Sequence, residues 1–190
     1  MTPSVNLKFS IIRTSESTFG NFICDLTRKE VSADCCLLAS GSIRADKVYA
    51  AGHHFTYGDA FDIYPFEKEL CLIEILGEDI YRGLELGVSK YPALEGRFPN
   101  VSRIQFEFNP QKPQGQRVNR DTILIGGKPL NGEKTYKMAL CNFLADGKDG
   151  YEPFKNRKHL IDENSRKQIR SLIIDFFSNL RSKARSCPAS

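Results

Sequence analysis

The stretch Leu38-Ala39-Ser40-Gly41-Ser42-Ile43-Arg44-Ala45-Asp46 decides the architecture of this chain. It continues a short, uniformly apolar run, Cys35 to Ala39, whose length and composition predict a strand buried on both faces. The strand breaks into a turn of small residues, which let a ligand come close to the backbone, and the turn delivers Arg44. Strand ends are where layered folds place ligand groups. The same letters also suit an ordinary turn with an arginine on the surface.

Upstream, Ser17 to Arg28 reads as a helix, because Phe19, Phe22, Ile23 and Leu26 recur at the spacing that puts them on one face. Downstream, Thr56 to Ile63 suits a short helix that stops before Tyr64-Pro65. Leu70 to Ile75 reads as a strand, and Glu78 to Tyr91 as an amphipathic helix stopped by Pro92. Arg103 to Phe108 alternates strictly, and Asn109 to Gln116 is a Pro/Gln/Gly-rich loop. Thr122–Ile125 and Tyr136–Leu144 supply two more strands, separated by Gly126-Gly127 and a loop from Pro129 to Gly132. Ile169, Leu172, Ile173, Phe176 and Leu180 predict a last helix over about residues 164–182, with Asn164 and Ser165 as capping candidates, followed by a frayed tail. Helices and strands without regular βαβ alternation argue for an α+β fold of packed sheets with outer helices.

Bulk properties narrow the function classes. With 190 residues, 41% hydrophobic and 11% aromatic, the chain can bury the core of a single domain spanning 1–190. Its net charge of +4 comes from interleaved charges, 27 basic and 23 acidic, so no concentrated stripe for nucleic acid forms. The six cysteines, Cys24, Cys35, Cys36, Cys71, Cys141 and Cys187, form no C-x-x-C pair and read as buried free thiols. No run approaches the about 18 apolar residues of a membrane span. The first residues, Met1 to Asn6, lack a signal peptide's basic and apolar regions and are expected to mark a cut boundary.

Two segments imitate a dinuclear metallophosphatase site: Gly52-His53-His54 and Gly58-Asp59-Ala60-Phe61-Asp62. Such a site needs several Asp, His and Asn ligands from different strand ends, and His53, His54 and His159 are the only histidines. Structural turns are the expected reading. No thiol has a recognisable His or carboxylate partner, and no Gly-rich phosphate loop is followed by lysine. Catalysis by this chain alone is not expected.

Three segments carry more glycine and more functional groups than core packing requires. They are Arg13 to Asp25, where an arginine precedes a hydroxyl-rich helix opening; Leu38 to Asp46; and Asn142-Phe143-Leu144-Ala145-Asp146-Gly147-Lys148-Asp149-Gly150-Tyr151, read as a strand ending in Phe143 followed by a glycine-punctuated turn holding Asp149. Each alone has a bland explanation, a solvated arginine, a plain turn or an Asx turn.

Taken in order, these segments resemble the C-terminal domain of the 5'-nucleotidase and UDP-sugar hydrolase family. The matching elements are Arg13 with Glu16 to Asn21, Gly41-Ser42-Ile43-Arg44, Thr56-Tyr57-Gly58-Asp59 with Pro65-Phe66, Gly96-Arg97-Phe98, Arg117-Val118, and Asn142 to Tyr151, spanning roughly residues 8–155. The resemblance implies a four-layer α/β/β/α arrangement of sheets flanked by helices. It also implies a site in which Phe66 and Phe143 sandwich the base of a nucleoside or nucleotide, adenosine-type first, while Arg13, Arg44 and Asp149 hold the sugar and polar groups. No cofactor is expected in this chain; two divalent metal ions are expected in a separate N-terminal metallophosphatase domain, the partner that would cleave phosphate. A parent exported or held at a cell surface would fit the resemblance. Ala39 stands where many members carry an asparagine that touches the base, and Ser42 and Lys148 replace glycines, Lys148 at a place where positive φ would be strained. The alternative is an interaction module that keeps this fold without nucleotide recognition.

Overall fold

The computed structural model describes residues 4–186. In chain order the elements are β1 (Val5–Asn6), α1 (Phe9–Ile12), α2 (Thr18–Glu30), β2 (Cys35–Ala39), β3 (Val48–Tyr49), α3 (Tyr57–Ile63), β4 (Leu70–Leu76), α4 (Gly77–Val88), β5 (Pro99–Ser102), β6 (Ile104–Phe108), β7 (Val118–Ile125), β8 (Lys128–Pro129), β9 (Thr135–Cys141), α5 (Asn142–Ala145) and α6 (Ile169–Ser186).

The apolar run does become a strand buried at every residue. It lies inside a four-stranded mixed sheet of order β4-β9-β2-β5, parallel to β9 and antiparallel to β5. Helix α2 packs on β2, β5 and β9, and α4 packs on β4 and β5. Leu37 and Leu38 are fully enclosed, so truncating either to alanine costs about 2–5 kcal/mol. A three-stranded sheet, β6-β7-β8, adjoins α4 through β7, and β1 pairs with β3. The architecture is α+β, mixed sheets flanked by helices. The described cysteines, Cys24, Cys35, Cys36, Cys71 and Cys141, are all free and buried; Cys187 lies outside the described residues.

Several boundaries differ from the sequence expectation for identifiable reasons. Helix α4 ends at Val88, earlier than Tyr91, because the Arg117 guanidinium donates to the carbonyls of Val88, Ser89 and Tyr91 at 2.7, 3.0 and 3.0 Å and so satisfies the helix end. Strand β7 starts at Val118, since the Glu85 carboxylate accepts the amides of Arg117 and Val118 and holds the strand beside α4. Strand β5 opens on Pro99, which is tolerated because β5 is an edge strand. Strand β9 stops at Cys141: the Asn142 carboxamide oxygen accepts the amides of Phe143 and Glu69, and the chain winds into α5. Phe143 therefore sits on a helical turn and not at a strand end. Asn164 and Ser165 fall in a separate 3-10 turn capped by Asp162, so α6 begins at Ile169, and it runs past Arg181 to Ser186, where the letters suggest fraying.

The topology gathers loops at one sheet edge. Because β2 and β9 are parallel, both end there, while β4 and β5, antiparallel to β9 and β2 respectively, begin there. Residues 40–44, 142–151, 64–69 and 93–98 thus share that edge.

Candidate functional site

At this edge Phe66 and Phe143 face a common point. The Lys68 ammonium lies over both rings, 5.1 Å from the Phe66 centroid and 4.4 Å from that of Phe143. The register explains the approach: Leu70 pairs with Cys141, so Lys68 and Phe143 each stand two residues beyond their strands. Lys68 also donates to the Ser42 hydroxyl at 2.9 Å, which joins the turn after β2 to the pair. The Phe66 segment is held from below by α6, since Arg170 donates to the Pro65 carbonyl at 2.9 Å and Ile169 to the Lys68 carbonyl at 2.9 Å. Phe66 remains 37% exposed.

Arg44 extends from the turn into solvent, its guanidinium 5.4 Å from the Phe66 centroid. Arg13 caps α1 and lies near enough to Arg44 to feel its charge: burial first, then Arg44, pulls the Arg13 pKa down, while Asp46 and Glu95 push it up. It remains charged. One Arg13 nitrogen donates to the Leu94 carbonyl at 2.9 Å and the guanidinium lies 3.8 Å from the Phe9 centroid, but Nε and Nη2 have no hydrogen-bond partner. These two groups are enclosed donors without acceptors, a costly state that an acceptor on a ligand would relieve.

The turn itself depends on a close backbone approach. The Gly41 amide donates to the Gly96 carbonyl at 2.7 Å, and a Cβ on Gly41 would lie 2.9 Å from the Gly96 Cα. The Tyr151 hydroxyl reaches the Arg97 carbonyl at 2.7 Å, tying the loop after β9 to the same 96–98 segment.

Of the five predicted site residues, Arg44 lies beside Phe66, Phe66 and Phe143 are joined through Lys68, and Arg13 feels the charge of Arg44. Asp149 follows in the loop after α5. It occupies the same edge with an exposed side chain and a left-handed backbone, φ 55°, between Gly147 and Gly150, both also at positive φ. The strain expected at Lys148 is carried by Asp149 instead, a residue type that tolerates this region better. Sequence reasoning gave no role to Lys68, although it stands two residues after Phe66, or to Arg97, whose Nε is buried without a partner.

The metallophosphatase look-alike is a helix cap. Asp59 accepts the Thr56 amide and hydroxyl, both at 2.8 Å, and meets His53 Nε2 at 3.0 Å, while Thr56 caps the Asp59 amide. Burial pushes the Asp59 carboxyl up, but the Thr56 and His53 bonds outweigh it and hold it at about 2. Among the described residues no group of three or more His, Cys, Asp or Glu could hold a metal ion, and no helix is long and apolar enough to cross a membrane.

The family model for the 5'-nucleotidase C-terminal domain matches residues 3–156. This chain belongs to that family. The trifunctional nucleotide phosphoesterase protein YfkN of Bacillus subtilis (strain 168) is 31% identical over 162 residues, 78% of this chain and 10% of that protein. Protein 5NUC of Lutzomyia longipalpis is 31% identical over 168 residues, 77% of this chain and 29% of that protein. The chain spans less than a third of the length of either relative. The 5'-nucleotidase precursor from Thermus thermophilus shares the fold with a TM-score of 0.82 and 26% identity, over 94% of this chain and 36% of that one. As a 5'-nucleotidase C-terminal domain the chain has the layered sheets and outer helices that its motifs imply.

Proposed function

We propose that this domain recognises the nucleoside part of the substrate of a 5'-nucleotidase-type phosphohydrolase, with the base between Phe66 and Phe143 and the sugar and polar groups held by Arg13, Arg44 and Asp149. The observation that carries the reading is the pair of phenyl rings facing one point at the edge where four loops meet. Every purine and pyrimidine offers a flat polarisable face, and stacking on an aromatic side chain contributes about 1–3 kcal/mol per base. Arg13 brings two unspent donors and Arg44 an exposed guanidinium, both suited to oxygen acceptors. A carboxylate such as Asp149 can accept hydrogen bonds from both vicinal hydroxyls of a ribose.

Hydrolysis belongs to another part of the parent protein. The side chains here do not fit a dinuclear centre, because the Asp59 carboxylate and His53 are bound to each other and to Thr56. A separate N-terminal metallophosphatase domain would carry the two divalent ions, which polarise the phosphate and activate water. Binding energy from base and sugar, remote from the reacting phosphorus, would orient the phosphate at that centre.

Titration of the isotope-labelled 190-residue chain with adenosine at millimolar concentration, followed by NMR, tests the reading. Shifts are expected for residues 66–68, 143–150 and 42–44, with no phosphate released from AMP when magnesium or manganese is added. An unchanged spectrum around Phe66 and Phe143 would instead favour an interaction module that has kept the fold without nucleotide recognition.

A further inference from the structure

The geometry points to Lys68 as a built-in competitor for the slot between Phe66 and Phe143: its ammonium occupies the space an aromatic ring must enter, so a ligand's ring binds by expelling it. The inference rests on the proposed reading of that slot. A stacked ring places its centroid about 4.5–7 Å from its partner's. The Lys68 nitrogen, 4.4 Å from one centroid and 5.1 Å from the other, stands in that space. It is fixed there by three partners, two ring faces and the Ser42 hydroxyl at 2.9 Å. Ring faces attract cations through their quadrupole, and the attraction grows as water is excluded. Lys68 is partly buried, and Phe143, half-buried itself, supplies the drier wall.

Displacing the side chain leaves this segment anchored, because the Lys68 backbone carbonyl, not its side chain, ties it to Ile169. Expulsion costs the cation–π contacts and one hydrogen bond. Lysine has three donors and no acceptor, so once displaced the ammonium needs only water or a carboxylate, and Glu67 and Glu69 flank it in the chain. The occupied slot therefore sets a threshold: a ring enters only if its stacking outweighs the contacts that Lys68 gives up.

Isothermal titration of adenosine and uridine into the unmodified chain, Lys68→Ala, Lys68→Arg and Phe143→Ala tests the idea. Lys68→Ala is expected to bind adenosine about fivefold to thirtyfold more tightly. Uridine, which must expel the same cation, is expected to gain by a similar factor. Lys68→Arg keeps a cation over the rings and is expected to stay within a few-fold of the unmodified chain, a distinction that a merely structural lysine would not produce. Thermal melting of each variant establishes that it is folded. If Phe143→Ala weakens adenosine binding but Lys68→Ala leaves it equal or weaker, the competitor role is wrong and the slot stands. Should adenosine bind no variant, or bind without regard to Phe143, the slot reading falls and the role of Lys68 with it.

Discussion

The segment from Gly52 to Asp62 and the cluster at the sheet edge both gather charged and aromatic side chains, yet the fold uses them in opposite ways. In the first, Asp59 is bound by Thr56 and His53, His53 packs on Tyr49 and Phe55, and Asp62 pairs with Lys47 at 3.2 Å. In the second, Arg13 keeps two donors without partners, and Arg44 and Asp149 are exposed. A polar constellation whose bonding capacity is consumed by its own turn stabilises the fold. One whose capacity is left over is available to a ligand.

Substitutions should therefore separate cleanly, those at the edge changing binding and those in the capped segment changing stability. The largest effect is expected from Phe143→Ala, which removes one wall of the slot and should weaken adenosine by up to about 100-fold in a calorimetric titration. Arg44→Ala should weaken it by about tenfold through loss of a charge-assisted hydrogen bond, with the melting temperature unchanged because the guanidinium is exposed. Thr56→Ala should leave adenosine affinity alone and cost about 1 kcal/mol through loss of the helix cap, read as a melting temperature lower by about 2–4 °C. An affinity change as large as that of Arg44→Ala would erase the contrast between the two regions.

The smallest effect is one of pH. The folded Asp59 carboxyl sits at about 2, below its ordinary 3.8, so its protonation is disfavoured by folding. That contribution is fully present above about pH 4 and is lost as pH falls from there toward 2. Urea midpoints measured across this range should decline less steeply in Asp59→Asn than in the unmodified chain, and an identical decline would show that other carboxyls govern the acid limb.

Much of the molecule was legible in its letters because the relevant signals are local. The uniform apolar run of β2, the one-sided periodicity of α2 and the stop of α3 before Tyr64-Pro65 are each set by neighbours within a few residues. The boundaries that shifted were decided by distant partners: Arg117 ends α4, Glu85 lengthens β7, and the pairing of Glu69 with Asn142 turns Phe143 onto a helix. Periodicity carries no information about such partners.

By itself the sequence determined the family, the α+β class and the identity of four side chains that meet at one edge, since ordered motifs and hydrophobic spacing are properties of the chain alone. The tertiary structure alone decided that Lys68 stands against both Phe66 and Phe143, and that the turn carrying Ser42 and Arg44 lies beside them. The register of β4 against β9 and the contact of Gly41 with Gly96 set those outcomes. Both join residues far apart in the chain, and such pairings form only when the sheet closes.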